Sequence, residues 1–191
     1  MTDLTTQLTP SQTSGPYLSI GLLREHASPS LVAPEDPRAV RIRGRLLDGH
    51  GDPVPDGMVE IWQANAAGRY AHPRDEREDV PLEDSFSGFG RSGTADEGWF
   101  EFVTVKPGPV PAPDGRPQAP HLVVGVFARG ILKRLVTRLY FPDEEEANTS
   151  DPVLSELDDT ERATLIAQAE DGALRFDIRL QGDGETTFFL V

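Results

Sequence analysis

"VRIRGRLLDGHGDPVPDGMVEIWQA", residues 40–64, is where the chain takes up a hydrophobic period of two, and its reading decides the fold. Val40 and Ile42 fall on one face while Arg41, Arg43 and Arg45 take the other, the pattern of a strand with one wet side. Residues 48–57 are dense in Asp, Gly and Pro, which supply the dihedral angles of a tight connection. "MVEIWQA", residues 58–64, then resumes the alternation, with Val59 and Ile61 set against Met58 and Trp62. Two strands joined by a turn predict a β protein.

The same alternation or β-branched enrichment recurs at 98–105 ("GWFEFVTV"), 121–128 ("HLVVGVFA"), 131–141 ("ILKRLVTRLYF"), 173–181 ("ALRFDIRLQ") and 186–191 ("TTFFLV"), each bounded by Gly, Pro or Asp. One helix is predicted, in "DTERATLIAQAE", where Asp158 and Glu161 can cap reciprocally and Leu165, Ile166 and Ala169 share a face. Seven strands and one short helix predict a mostly β, two-sheet sandwich. Residues 1–37, with scattered Pro, Ser and Thr around the apolar patch "YLSIGLL", read as an extended arm with one turn of helix that reaches a neighbour, leaving 38–191 as the sandwich domain. The polar segment from Asn65 to Asp96 is a long excursion, and loops of that length are functional or poorly ordered.

Composition removes whole classes of function. Lys and Arg number 18 against 32 Asp and Glu, a formal charge of −14 that repels phosphate backbones and anionic lipid, so neither nucleic acid nor membrane is an expected partner. An anionic substrate needs a few placed cations to overcome this field. With 0 Cys there is no disulfide, thiolate metal site or thiol nucleophile. The N-terminal "MTDLTTQLTPSQTSGPY" has neither a basic nor an apolar leader segment, and the longest apolar run, Leu122 to Ala128, is too short for a bilayer, so a soluble, cytoplasmic protein is expected.

Among motifs, "GFGRSG" (88–93) matches a dinucleotide pattern but runs into another turn, "TADEGWF", and reads as a flexible loop. "DEEE" (143–146) reads as a solvated face, since consecutive acids diverge, and "GDG" (182–184) as a hairpin turn. No Ser sits in a nucleophile elbow, and His26, His50, His72 and His121 form neither an H-E-x-x-H nor an H-x-H pair, so spacing indicates no metal. Tyr70, by general rules, is a rim residue, and His121, where a Pro-rich loop meets a strand, is packing or one ligand of a site.

The stretch "GRLLDGHGDPVPDGMVEIWQANAAGRY" (44–70), continued by "TVKPGPV" and "APHLVVGVFARG", resembles the signature of the intradiol ring-cleavage dioxygenases, and the likeness extends from "TPSQTSGPY" to "RFDIRLQGDGETTFF". That resemblance implies Fe(III) held by two tyrosinates and two histidines, with a catechol bound as its dianion and cleaved by dioxygen between its hydroxyl-bearing carbons; hard anionic oxygens favour the ferric state. Matched residue by residue, the first tyrosinate falls on Tyr70 and the first histidine on His121, but the second tyrosinate position holds Val110 and the second histidine position Val123. Valine offers no lone pair, so no iron is expected in this chain. His121 is then left to packing or a hydrogen bond, with Tyr70 as a candidate partner.

One branch of the family pairs two related chains, and the "TPSQTSGPY" arm, the "FARG" strand end and the missing ligands resemble its iron-free alpha chain. The resemblance implies a homologous beta subunit carrying Fe(III), whose pocket for an aromatic catechol acid is walled by Thr13, Gly15, Pro16 and Tyr17 and charged by Arg129 for the substrate carboxylate. An interface salt bridge would suit Arg129 equally, and an arm that only clamps a neighbour would suit the wall residues. Spacing adds a check: eight residues at ~3.3 Å each put Arg129 about 26 Å from His121, so one small ligand cannot touch both. The alternatives are an independent intradiol dioxygenase for another catechol and a non-catalytic sandwich scaffold.

Overall fold

In chain order the elements are α1 (Pro16–Leu22), β1 (Ala39–Leu47), β2 (Met58–Trp62), β3 (Phe89–Gly93), β4 (Trp99–Val105), β5 (Val110–Pro111), β6 (Pro117–Gln118), β7 (His121–Phe127), β8 (Leu135–Tyr140), α2 (Glu145–Ser150), α3 (Asp159–Ala163), β9 (Gln168–Glu170), β10 (Ala173–Arg175) and β11 (Ile178–Arg179). The computed structural model describes residues 10–23 and 27–190, so His26 lies outside the described residues. One sheet is built on β1, which runs antiparallel to β4 on one edge and parallel to β10 and β11 on the other, with β9 beyond β10. The second is antiparallel throughout, in the order β3-β2-β7-β8, and β5 and β6 form a separate hairpin.

The alternation read from the sequence sets the packing. Ile42 and Leu46 of β1, Phe100 and Phe102 of β4, and Phe176 and Ile178 face Val59 and Ile61 of β2, Leu122, Val124 and Val126 of β7, and Leu139 of β8 across one core. The arginines at 41 and 43 stay exposed on the outer side. The two sheets are also joined by a fully buried polar clamp: Thr104 Oγ1 donates to Gln63 Oε1 at 2.7 Å, and Gln63 Nε2 donates to the Val105 carbonyl at 2.9 Å. Buried polar groups satisfied in this way fix how the sheets meet.

Several expectations change. The stretch "ALRFDIRLQ" is one parallel run along β1 that breaks at Phe176–Asp177: Ile42 pairs with Leu174 before the break and Leu46 with Ile178 after it. At the break the Phe176 N–H donates to the Arg43 carbonyl at 2.9 Å and the Arg45 N–H to Asp177 Oδ1 at 2.7 Å. Gly44 lies against this point, and a Cβ there would coincide with the Phe176 carbonyl oxygen. Gly44→Ala is therefore expected to cost roughly 1–3 kcal/mol of overpacking, read as a lower denaturant midpoint at unchanged slope; an unchanged midpoint would show that the strands part freely.

"GFGRSG" is no flexible loop but β3, paired with β2 from Met58↔Gly93 to Trp62↔Phe89. Its glycines obscure a strand whose missing side chains make room: a Cβ on Gly90 would strike Leu31 and Ile61. Leu31 belongs to a strap formed by residues 28–31. Ser28 exchanges backbone hydrogen bonds with Arg91 of β3 at 2.9 and 3.0 Å, while Leu31 N–H donates to the Val103 carbonyl of β4 at 2.8 Å, so the strap covers an edge of each sheet. This part of the 1–37 segment thus belongs to the body of its own sandwich. α1 differs, with no buried residue and with Tyr17 and Ile20 exposed.

The helix at 158 has the predicted capping box but stops at Ala163. Beyond it the chain extends, because the edge of β8 needs partners: Tyr140 N–H donates to the Leu165 carbonyl at 2.9 Å and Ala167 N–H to the Tyr140 carbonyl at 3.0 Å. Leu165 is buried without a helix to carry it. α1 falls on the turn of helix expected in the arm, whereas α2 lies where no helix was expected. "TTFFLV" forms no strand; its described part makes a single bridge, Phe189 to Val136, and Thr187 is tied by side chains to Thr164 and Thr137. "GDG" is a turn with Gly182 and Gly184 at positive φ. Of "DEEE", Asp143 and Glu144 hold Lys106 at 2.6 and 2.7 Å, and the other two acids open α2.

Candidate functional site

Two clefts flank the β3-β2-β7-β8 sheet, at opposite ends of β7. The first, about 740 Å³, is lined by Trp62, Tyr70, His72, Arg77, Val110 and Pro111 among others. Tyr70 comes from the long segment after β2, which is held by side-chain bonds to its own backbone. Asn65 Oδ1 accepts from the N–H groups of Ala67 and Arg69 at 3.0 and 2.9 Å, and its Nδ2 donates to the Pro81 carbonyl at 2.9 Å. Arg77 closes the loop on Asp75 and on the Gly68 carbonyl, and its side-chain bonds to Asp75 hold that carboxyl well below the usual carboxylate range. Tyr70 stacks on Trp62, ring centres 5.8 Å apart and planes 12° from parallel. Burial raises its phenol above the ordinary value, an effect that the Arg138 charge partly offsets.

Register places the rest. Trp62 pairs with Val123, and Val123 with Arg138; His121 pairs with Tyr140. All five side chains therefore lie on the outer face of the sheet. His121 does not bond Tyr70 as expected. Its Nδ1–H donates to the Ala119 carbonyl at 2.7 Å and its ring lies 5.5 Å from that of Tyr140, because the carbonyl two residues back is the acceptor within reach at the strand mouth. Burial, reinforced by the Arg138 charge, lowers the imidazole to about 4.

A neutral buried imidazole has a stability consequence whose sign is fixed. The unfolded chain binds a proton near pH 6.5 and the folded chain only near 4, so the stability present above pH 6.5 is lost as pH falls through that window. At 1.36 kcal/mol per factor of ten the loss is roughly 3 kcal/mol by pH 4. Urea midpoints of the wild type and His121→Gln, measured from pH 7 to 4, are expected to show the variant losing less by about that amount; parallel curves would contradict a neutral His121.

Sequence reasoning missed the group beneath. Arg138 Nη1 donates to Gln118 Oε1 at 2.8 Å and to the Tyr140 hydroxyl at 3.1 Å; that hydroxyl donates to Asp151 Oδ1 at 3.3 Å. Asp151, fully buried, also accepts from the N–H groups of Ala119, Val153 and Leu154 at 2.8, 2.8 and 2.9 Å. Burial pushes the Tyr140 phenol far above its ordinary value. The one available signal was Arg138 and Tyr140 at period two in a mainly apolar strand.

The second cleft, about 410 Å³, gathers Gly15, Pro16, Leu18, Asp56 and Arg129 among others. Thr13 is tied to the turn that carries Arg129, its Oγ1 accepting from the Gly130 N–H at 2.7 Å. Arg129 lies in the turn after β7, its Nε 3.2 Å from Asp56 Oδ2, with three quarters of the side chain exposed. Tyr17 does not line the cleft and is 82% exposed. Four of the five residues proposed from sequence are thus neighbours, although Arg129 lies more than a hundred residues along the chain from the other three.

The family described as Dioxygenase matches residues 24–182. The chain belongs to the intradiol ring-cleavage dioxygenases. It is 45% identical to the protocatechuate 3,4-dioxygenase alpha chain of Pseudomonas putida, over 95% of each chain. It is 37% identical to the protocatechuate 3,4-dioxygenase beta chain of Burkholderia cepacia, over 87% of this chain and 75% of that one. Among solved structures it resembles the dioxygenase domain of a dioxygenase and carbohydrate-binding fusion protein from Streptomyces sp. SirexAA-E, with a TM-score of 0.59 and 25% identity over 92% of this chain and 99% of that one. The mostly β, two-sheet architecture is therefore that of intradiol dioxygenases.

Whether this intradiol dioxygenase chain suits a ferric ion is a question of donors. Tyr70 and Val110 line the first cleft, and His121 and Val123 follow on β7, so two of the four positions offer hydrocarbon. The third element of the site is itself a cation, Arg138, whose charge acts on both Tyr70 and His121. A trivalent ion meets two donors and one like charge, and the residues do not fit it. Among the described residues no three His, Asp or Glu side chains are grouped to hold a metal, and no helix is long and apolar enough to cross a membrane.

Proposed function

We propose that the chain is the iron-free member of a two-chain, cytoplasmic protocatechuate 3,4-dioxygenase and completes the substrate pocket of an iron-bearing beta subunit. The partner's Fe(III) carries the oxidation, in which both atoms of dioxygen enter protocatechuate and the ring opens between its hydroxyls to 3-carboxy-cis,cis-muconate. What carries the reading is the pair Val110 and Val123 at donor positions, in a chain similar over 95% of its length to an alpha chain.

In this reading the second cleft is the contribution to the partner. Gly15 and Pro16 make a side-chain-poor wall with a fixed backbone, Thr13 anchors it to the turn that holds Arg129, and Tyr17, exposed at the start of α1, meets the other chain. Exposed Tyr17 and Ile20 on a helix without buried residues suit such a contact. Arg129 supplies the positive charge that an anionic substrate needs against a net charge of −14.

Co-expression with a beta-type homologue tests this. The pair is expected to cleave protocatechuate with a kcat/KM at least about tenfold above that of the beta chain alone. Equal activity of the beta chain without this one would refute the reading.

A further inference from the structure

The first cleft keeps a binding surface that the assembly reading does not use. Its wall is the Trp62–Tyr70 stack, continued by Val110 and Pro111. Of the cations in its lining, Arg74 is exposed and Arg77 is paired with Asp75; Arg138, just beyond the lining, stands two strands from Trp62, about 10 Å by strand spacing, in the row Trp62, Val123, Arg138. Arg138 is half-buried, and among the described residues no carboxylate lies within salt-bridge distance of it; its guanidinium has the Gln118 amide oxygen and the Tyr140 hydroxyl. The nearby acids are already engaged, Asp75 by Arg77 at 2.6 Å and Asp151 by three backbone N–H groups and the Tyr140 hydroxyl. Glu76, on the exposed rim, faces solvent.

A flat apolar wall beside a half-buried guanidinium lacking a counter-ion is complementary to a planar ring bearing one negative charge. Stacking on indole and phenol recognises the ring, and the planar fork of arginine recognises a carboxylate in two-point fashion. We propose that the cleft over Trp62, Tyr70 and Val110 binds a small aromatic monocarboxylate, with Arg138 as its counter-charge, and holds it without chemistry. Val110 and Val123 give the ligand no metal to meet. The site lies at the other end of β7 from Arg129 and stands whether or not the partner reading does.

Trp62 reports the site directly. The full chain carrying Trp99→Phe keeps one of its 2 Trp, so indole emission excited beyond the absorption of the ligand comes from the cleft alone. Titration with benzoate is expected to change that emission saturably. Cyclohexanecarboxylate, which has the charge without the flat ring, is expected to bind at least about fivefold more weakly, and Arg138→Met to weaken benzoate at least about tenfold while Arg138→Lys weakens it less than about threefold. If Arg138→Met fails to fold, the comparison of the two acids on the Trp99→Phe chain still decides. Absence of saturation, or equal affinity for the two acids, overturns the aromatic-anion assignment; an unchanged affinity in folded Arg138→Met overturns the role of Arg138.

Discussion

Asp151→Ala is expected to remove roughly 3–5 kcal/mol of stability, the range for taking one member from a buried charged network. The carboxylate is 0% exposed and accepts from three backbone N–H groups on two segments, those of Ala119, Val153 and Leu154, and from the Tyr140 hydroxyl. Alanine leaves all four donors dry, and each buried donor left unsatisfied costs about 1–3 kcal/mol. Water entering the vacated space recovers part of this, which keeps the total below the simple sum. The damage should spread along the network, since Tyr140 then holds Arg138 without its own acceptor. Asp151→Asn retains Oδ1 as an acceptor and is expected to cost about half as much. Denaturant melts of the three proteins check this; an alanine variant within about 1 kcal/mol of wild type would mean that the turn at 151–154 is not fixed through its carboxylate.

In the assembled enzyme, Arg129→Ala is expected to raise KM for protocatechuate about 10- to 100-fold with kcat within about threefold. This follows from the roughly 1.5–3 kcal/mol of a charge-assisted hydrogen bond. Arg129 is three quarters exposed in this chain and its one ion pair, to Asp56, is itself solvent-facing, so the pair is worth little and can open for a carboxylate. Catechol, which lacks the carboxylate, should be cleaved with nearly unchanged KM, and that contrast separates substrate recognition from damage to the interface. Arg129→Lys should recover part of the loss, since it keeps charge without the planar fork. Unchanged kinetics on both substrates, with the assembly weakened, would make Arg129 an interface residue.

The sequence made the strands legible wherever side chains alternate across a sheet with one wet face: Arg41 and Arg43 out with Ile42 and Leu46 in, and Val59 and Ile61 in, are as the alternation requires. β3 was illegible because Gly90 and Gly93 remove the side chains that would show alternation, and the reason for their absence, Leu31 and Leu23 lying against them, is a tertiary fact. The short α3 had a readable start but an unreadable end, since what stopped it was the open edge of β8 at Tyr140, far away in sequence. The candidate site divides in the same way. Tyr70, Val110, His121 and Val123 were located through family resemblance and not through spacing, and nothing local indicated that His121 would donate to Ala119. Arg138, Tyr140 and Asp151 act together through Tyr140, and only the fold reveals that the two charges share its hydroxyl.

The central claim, that oxidation is carried out by the partner's metal, is tested most directly by measuring iron and visible absorbance on this chain and the beta chain, purified separately and together. About one ferric ion per beta chain is expected, with tyrosinate charge-transfer colour, and less than about a tenth of an equivalent on this chain, which stays colourless. A full ferric equivalent on this chain alone, with that colour and with ring cleavage, would contradict it.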